Sequence, residues 1–362
     1  MPEAFDLESY LTQGVEDIVR GALKASISNP RQSAFFARYA LMSRRASALR
    51  AQAAEKGEHV PPFLIASVTT RCNLRCAGCY ARVGGAVCEG AAEGLLSDAE
   101  WRRVFQEAQE MGVGFILLAG GEPLMRRSLL EAAGSLPGVL FPVFTNATLI
   151  DADYAALFGR FRNLIPMMSL EGGEAETDRR RGEGVYRRLN EAAALLKESG
   201  VLFGASATVT RENIAEVTSD TFLDGLRDRG HRVVIYVDYV PVEESTEGLA
   251  PGEAERAYLA SRLQKLRMQR EDLLLIAFPG DELASGGCLA AGRGFFHINA
   301  RGGAEPCPFS PCSDVNVRDV PLREALRSRL FQRLRDGGLL AERHSGGCVL
   351  FEQREKVRLL QG

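Results

Sequence analysis

At 362 residues the chain has room for one large α/β domain with an appendage, or for two to three smaller domains. Hydrophobic residues make up 46% and charged residues 25%, which argues against wholesale disorder, and a net charge of −3 gives no global reason to expect a nucleic-acid coat protein. No run approaches the roughly 18 apolar residues of a membrane span, and the acidic opening MPEAFDLESY lacks the basic and then apolar regions of a secretory signal; the expected location is the cytoplasm.

Residues 1–60 are expected to be helical. Leu7, Leu11, Val15, Ile18 and Ala22 recur near the helical period until Asn29-Pro30 breaks it. A second stripe runs through Phe35, Tyr39, Met42, Ala46 and Leu49. Between Arg20 and Lys56 eight basic residues face the single acid Glu55. Two fates fit this segment: packing on the rest of the protein, or a peripheral membrane contact through a basic, amphipathic surface.

From Pro61 the pattern alternates. Strands are expected at Phe63–Thr69, Gly114–Ala119, Leu140–Thr145, Leu164–Leu170, Leu202–Val209 and Val233–Val240, with a further short run at Leu273–Phe278. Helices fall between them at Ser97–Met111, Asp151–Phe158, Gly184–Ser199, Asn213–Arg229 and Glu253–Arg270, the first opened by a Ser97/Glu100 capping box. Strands separated by helices imply parallel βαβ units, so residues 61–280 are read as a partial (β/α)6 TIM-like barrel of the α/β class. Its chemistry is expected at the C-terminal strand ends. After residue 280 an irregular, Cys-rich module follows. It has a hairpin near Phe295–Asn299 and helices near Pro321–Arg335 and Phe351–Leu360.

Eight cysteines in a large, non-secreted chain point to metal binding or catalysis rather than disulfides. Cys72, Cys76 and Cys79 lie directly after the first strand. Three thiolates at this spacing can converge on one face of a [4Fe–4S] cluster and leave one iron open. A structural zinc site with Cys88 as its fourth ligand is the alternative. Cys288, Cys307, Cys312 and Cys348 form a second, dispersed group that can close the coordination of another cluster. Zinc or unpaired thiols are again the bland reading. His297 on the hairpin reads as structural, and His59, His231 and His344 show no partner pattern. No Walker A loop or GxSxG elbow is present.

The run CNLRCAGC resembles the CxxxCxxC signature of the radical S-adenosylmethionine (radical SAM) superfamily. Further strand ends agree in order. Gly120-Gly121-Glu122-Pro123 resembles its GGEP motif, which the family sets against the SAM amino group, and Thr145-Asn146 resembles its TNGT segment, with Ala147 where glycine is usual. Ser169-Leu170-Glu171 is similar to its SxD segment with Glu for Asp, and Asp178–Gly182, including Arg181, is similar to its DxxRG stretch. Ser206 on the fifth strand is a further candidate SAM contact, whereas Thr208 and Asn213 are read as caps. The family's aromatic before the third cysteine is replaced by Gly78, which shifts the expected adenine contact to the backbone or to Tyr80. The segment from Cys288 through Gly302-x4-Cys307 resembles the start of the SPASM or Twitch extension, but the dense second cysteine run is absent, so one auxiliary cluster is implied.

The resemblance implies that Cys72, Cys76 and Cys79 hold a [4Fe–4S] cluster to which SAM binds. It also implies that reductive cleavage of SAM yields a 5′-deoxyadenosyl radical, which takes a hydrogen atom from the substrate. Cys288, Cys307, Cys312 and Cys348 would hold the auxiliary [4Fe–4S] cluster, whose expected part is to accept the electron left on the substrate. A flavodoxin or ferredoxin is the implied electron donor, and a peptide or protein side chain the leading substrate. The alternatives are a lipid or small metabolite at a membrane surface, and a non-catalytic carrier of clusters or cofactors. No nucleic-acid partner is expected.

Overall fold

The computed structural model describes residues 6–25, 27, 29–88, 93–278, 285–341 and 348–361. His344, and Gly346-Gly347 just before Cys348, lie outside them. Nine strands form one open sheet: β1 (Phe63–Thr69), β2 (Phe115–Gly120), β3 (Phe141–Thr145), β4 (Leu164–Leu170), β5 (Gly204–Val209), β6 (Val233–Asp238), β7 (Leu274–Phe278), β8 (His297–Ile298) and β9 (Ala304–Glu305). The spatial order is β7-β6-β5-β4-β3-β2-β1-β8-β9. All neighbours from β7 to β8 run parallel, and only β8–β9 is antiparallel. Seven strands in strict chain order, with helices crossing between them, make the unclosed barrel that the alternation implies. The hairpin after residue 295 is not separate from it. β8 adds to the free edge of β1, pairing Ile65 with His297 and Ala66 with Ile298.

Each strand divides its residues by parity. Leu64, Ala66, Val68, Ile116, Leu118, Val143, Leu164, Met168, Ala205, Ala207, Val234 and Tyr236 belong to the large core between the sheet and its outer helices. The other parity lines the concave face and changes character along the chain. Phe115, Ile165, Met167 and Val233, near the strand starts, are buried and apolar. Toward the strand ends the same face carries Ser67, Thr69, Ser169, Ser206 and Thr208. One end of the hollow is therefore filled and the other is polar.

The filling comes from α1 (Leu7–Ala25) and α2 (Pro30–Glu55). Val15, Val19, Ala22, Phe36 and Tyr39 pack with Phe115, Leu140, Ile165, Met167, Leu202 and Val233. Buried polar contacts fix them there. The Tyr39 hydroxyl donates to the Gly114 carbonyl at 2.6 Å, Arg50 Nη1 donates to Gly112 at 2.7 Å, and Gln32 Nε2 donates to Arg162 at 3.3 Å. Most of the apolar stripe that a membrane contact would need is thus spent on the barrel. Among the described residues no helix is long and apolar enough to cross a membrane. Tyr39→Phe is expected to cost about 1 kcal/mol in chemical denaturation, since Gly114 keeps its bond from the Leu140 amide. A loss above about 3 kcal/mol would mean that the hydroxyl holds more than this one carbonyl.

Two expected helices are broken. Asn213–Arg229 is Ile214–Val217 followed by Asp220–Arg229, because Ser219 accepts from the Phe222 amide and starts a new helix. Ser328 does the same at Phe331, dividing Leu322–Ala325 from Arg329–Asp336.

Candidate active site at the strand ends

Cys72, Cys76 and Cys79 stand half-buried on the loop that leaves the C-terminal end of β1. The loop is tied down on three sides. The Arg71 carbonyl accepts from the Glu122 amide and the Thr69 carbonyl from the Gly121 amide, both at 2.8 Å. Asn73 donates to Thr148 Oγ1 at 2.8 Å and accepts from Asn146 Nδ2 at 2.9 Å. The Ala77 amide donates to the Arg180 carbonyl at 2.8 Å.

Gly120 and Gly121 are required by close approach. A Cβ on Gly121 would lie 2.0 Å from the Arg71 carbonyl oxygen, and Gly120, at φ +119°, would meet the Thr69 oxygen at 2.5 Å. Glu122 is buried and directed at the neighbouring turn. Its carboxylate accepts from the Leu124 amide at 3.0 Å, the Thr145 hydroxyl at 2.7 Å and the Asn146 amide at 2.8 Å. Burial pushes its pKa up against these hydrogen bonds. Pro123 follows as the first residue of a single 3₁₀ turn. Ala147, where the resemblance would have glycine, takes the glycine conformation at φ +56°.

Glu171, just after β4, is the electrostatic centre of the opposite rim. Its Oε1 accepts from Arg181 Nε at 2.9 Å and from Arg181 Nη2, and Arg180 Nη1 lies 2.8 Å away in an ion pair without hydrogen-bond alignment. Its second oxygen, Oε2, is buried with no partner among the described residues. Arg181 in turn reaches the Cys76 sulfur at 4.0 Å. Burial opposes the charge of Arg181, but Glu171 and the Cys76 and Cys79 thiols outweigh it and hold the guanidinium more firmly charged. Burial also raises Cys72 and Cys76, and Arg181 pulls Cys76 back toward thiolate.

Ser169 and Ser206 are register partners on β4 and β5, side by side on the concave face. Beyond them lies a cavity of about 140 Å³, lined by Gly78, Glu171, Arg180, Thr210, Asn213 and Tyr239 among others. Tyr239 was not singled out by the sequence. Its ring presses on Gly78, where a Cβ would lie 2.4 Å from the Tyr239 hydroxyl. That hydroxyl is buried without a partner among the described residues, and Arg180 sits over the ring at 5.7 Å. The signal for Tyr239 was its place at the end of the sixth strand, the same rule that marked Ser169 and Ser206. Asn213 ties this wall together, donating to the Glu171 and Thr208 carbonyls at 2.9 Å each.

Tyr80 is turned to the C-terminal module. Its ring centroid lies 4.9 Å from that of Phe309, and Cys79, Cys307 and Glu305 are its titratable neighbours. In that module Cys307 and Cys348 act on each other, which raises the Cys307 thiol and lowers that of Cys348, and Cys288 is close enough to act on Cys307. Cys312 is buried, which raises its thiol, and Arg358 and Glu305 act on it with opposite sign. Among the described residues no three or more His, Cys, Asp or Glu side chains close on a single-ion site. His297 has the structural place expected of it. Its Nδ1 lies 2.7 Å from Glu305 Oε2 and its Nε2 2.7 Å from Ser67 Oγ, which bolts β8 and β9 to β1.

A family model described as the Radical SAM superfamily matches residues 66–220. The AdoMet-dependent heme synthase of Methanosarcina barkeri is 27% identical over 322 residues, covering 81% of this chain and 89% of that protein. The PqqA peptide cyclase of Rhizobium meliloti is 26% identical over 279 residues, 73% of each. Among solved structures, Streptococcus suis SuiB bound to S-adenosylmethionine superposes with a TM-score of 0.67 at 16% identity, over 88% of this chain and 78% of that one. The same protein bound to its precursor peptide SuiA gives 0.62 at 19%, over 85% and 74%. These likenesses extend well past residue 220. Residues 66–220 are a radical SAM domain, and the chain is a radical SAM enzyme, of the superfamily that uses a [4Fe–4S] cluster and SAM.

Proposed function

We propose that this enzyme modifies a peptide or protein side chain held on the concave face of the barrel. The observation that carries the reading is the placement of the three thiols at the open, polar end of a hollow whose other end α1 and α2 fill. The donor set suits the cofactors. Three sulfurs on one anchored loop leave a fourth position for a ligand. Beside them the unpaired Glu171 Oε2 and Tyr239 hydroxyl, both buried, want polar partners. When bound, the cluster and SAM supply a carbon radical that removes a hydrogen atom from the substrate. Cys72, Cys76 and Cys79 would hold the cluster, and Arg181 would steady the thiolate of Cys76. Ser169, Glu171, Ser206 and the backbone of Gly120–Pro123 and Asn146 would shape the SAM side. The partly open apolar residues Leu117, Phe144 and Ile235 would keep water from the reacting carbon.

In the second group, Cys288, Cys307 and Cys348 would hold an auxiliary [4Fe–4S] cluster that receives the substrate's electron. Cys312, on whose thiol Arg358 and Glu305 act but none of the other three cysteines, is left out of that set. A flavodoxin- or ferredoxin-like protein would supply reducing equivalents. Iron analysis after anaerobic reconstitution should give about eight irons for the parent and for Cys312→Ala, and about four for Cys307→Ala. Equal loss in both variants would return Cys312 to the ligand set.

PqqA peptide cyclase is named for a peptide, and SuiB is bound to one. The heme synthase of M. barkeri matches over a larger share of both chains and favours a second reading, a tetrapyrrole substrate. Titrating the reconstituted enzyme with Fe-coproporphyrin III separates the two. The peptide reading predicts no saturable shift of the porphyrin absorption band. A stoichiometric shift would replace it with the tetrapyrrole reading.

A further inference from the structure

The two cysteine groups are far apart in sequence, yet one ring contact joins them. Tyr80 is bonded directly to Cys79, and Phe309 lies two residues after Cys307. Their centroids are 4.9 Å apart at an interplanar angle of 54°. Among the described residues no other ring pair joins two cysteine-bearing segments. The pair is held on both sides. Cys79 is the N-cap of the short helix Tyr80–Val83, and the Val83 amide donates to the Cys79 carbonyl at 3.0 Å. On the other side the Ser310 amide donates to the Cys307 carbonyl at 3.0 Å, fixing the turn that carries Phe309. The Ser67–His297–Glu305 chain locks β9, which leads into Cys307, against the strand that leads into Cys72.

We propose that the Tyr80–Phe309 contact is the path by which an electron passes between the centre at Cys72, Cys76 and Cys79 and the one at Cys288, Cys307 and Cys348. This rests on the reading of the second group given above. One electron leaves one [4Fe–4S] centre, which is oxidised, and enters the other, which is reduced. No proton moves, and Tyr80 keeps its hydroxyl hydrogen. The rings act as the medium and are not themselves oxidised. Tyr80 and Phe309 are thus positioning residues between two ligand sets.

The test uses the full, reconstituted chain with SAM, reduced by a light flash through a deazaflavin and followed by freeze-quench EPR. The signal that changes on adding SAM marks the first centre. The parent and Tyr80→Phe, which keeps the ring, should show fast redistribution between the two signals. Tyr80→Leu and Phe309→Leu should lose that fast phase while keeping about eight irons. Unchanged redistribution in the leucine variants overturns the proposal. So does loss of one centre in both variants, which makes the pair a structural contact only. A parent with about four irons sinks the second-centre reading as well, and the iron count tells these failures apart.

Discussion

Gly121→Ala should displace the cysteine loop and reduce SAM cleavage about 100-fold, the scale expected when reacting groups shift by about 1 Å. The new methyl would stand 2.0 Å from the Arg71 carbonyl oxygen and 2.5 Å from its carbon, both backbone atoms that cannot rotate away. Either β2 retreats or residue 71 does, and residue 71 adjoins Cys72. The Gly121–Thr69 and Glu122–Arg71 hydrogen bonds would stretch together. Overpacking of this kind costs about 3 kcal/mol, so the variant should fold less stably but fold. Assaying 5′-deoxyadenosine alongside chemical denaturation checks both effects. Parent-like activity would show that the loop tolerates displacement, and that the glycine pair matters for another reason.

The second large effect is expected at Glu171. Replacement by alanine leaves Arg181 and Arg180 without the carboxylate that pairs them. Both guanidinium groups are largely buried, with 11% and 19% of their side-chain surface exposed. Removing one partner of a buried ion pair costs about 3–5 kcal/mol, most of it the stranded charge. Glu171→Gln keeps the volume and an acceptor and should cost less than alanine. A loss below about 1 kcal/mol in the alanine variant would mean that water already reaches the cluster of charges.

Glu171 also shows what the sequence could and could not convey. Its place at the end of the fourth strand was legible, because Leu164–Leu170 is a run apolar except for Ser169 and is soon followed by Gly172-Gly173, and the observed strand has those same bounds. Its two arginines were legible only as a motif, since nothing in Asp178–Gly182 says which guanidinium turns inward. β1 was read to the residue as well, its start marked by Pro61-Pro62. The hairpin, by contrast, was expected near Phe295–Asn299 but not its pairing with β1, because two-residue strands carry no periodicity. The pairing depends on side chains 230 residues apart, Ser67 and His297, and spacing cannot reveal such a contact. Tyr80 lay beyond reach in the same way. Its position after Cys79 was visible, but the direction of its ring is set by Phe309 in another module. The helical N-terminal segment was recognised, and its function as a plug was one of two readings. Burial of Val15, Val19, Phe36 and Tyr39 against the strand starts decided for packing.

The most direct test of the account is the reductive cleavage of SAM itself. The chain would be reconstituted anaerobically with iron and sulfide, given SAM and dithionite, and assayed chromatographically for 5′-deoxyadenosine, with Cys76→Ala beside it. The account predicts product from the parent and none above background from the variant, which lacks the sulfur that Arg181 faces. Equal product from both, or none from a parent whose first cluster is verified, would contradict it.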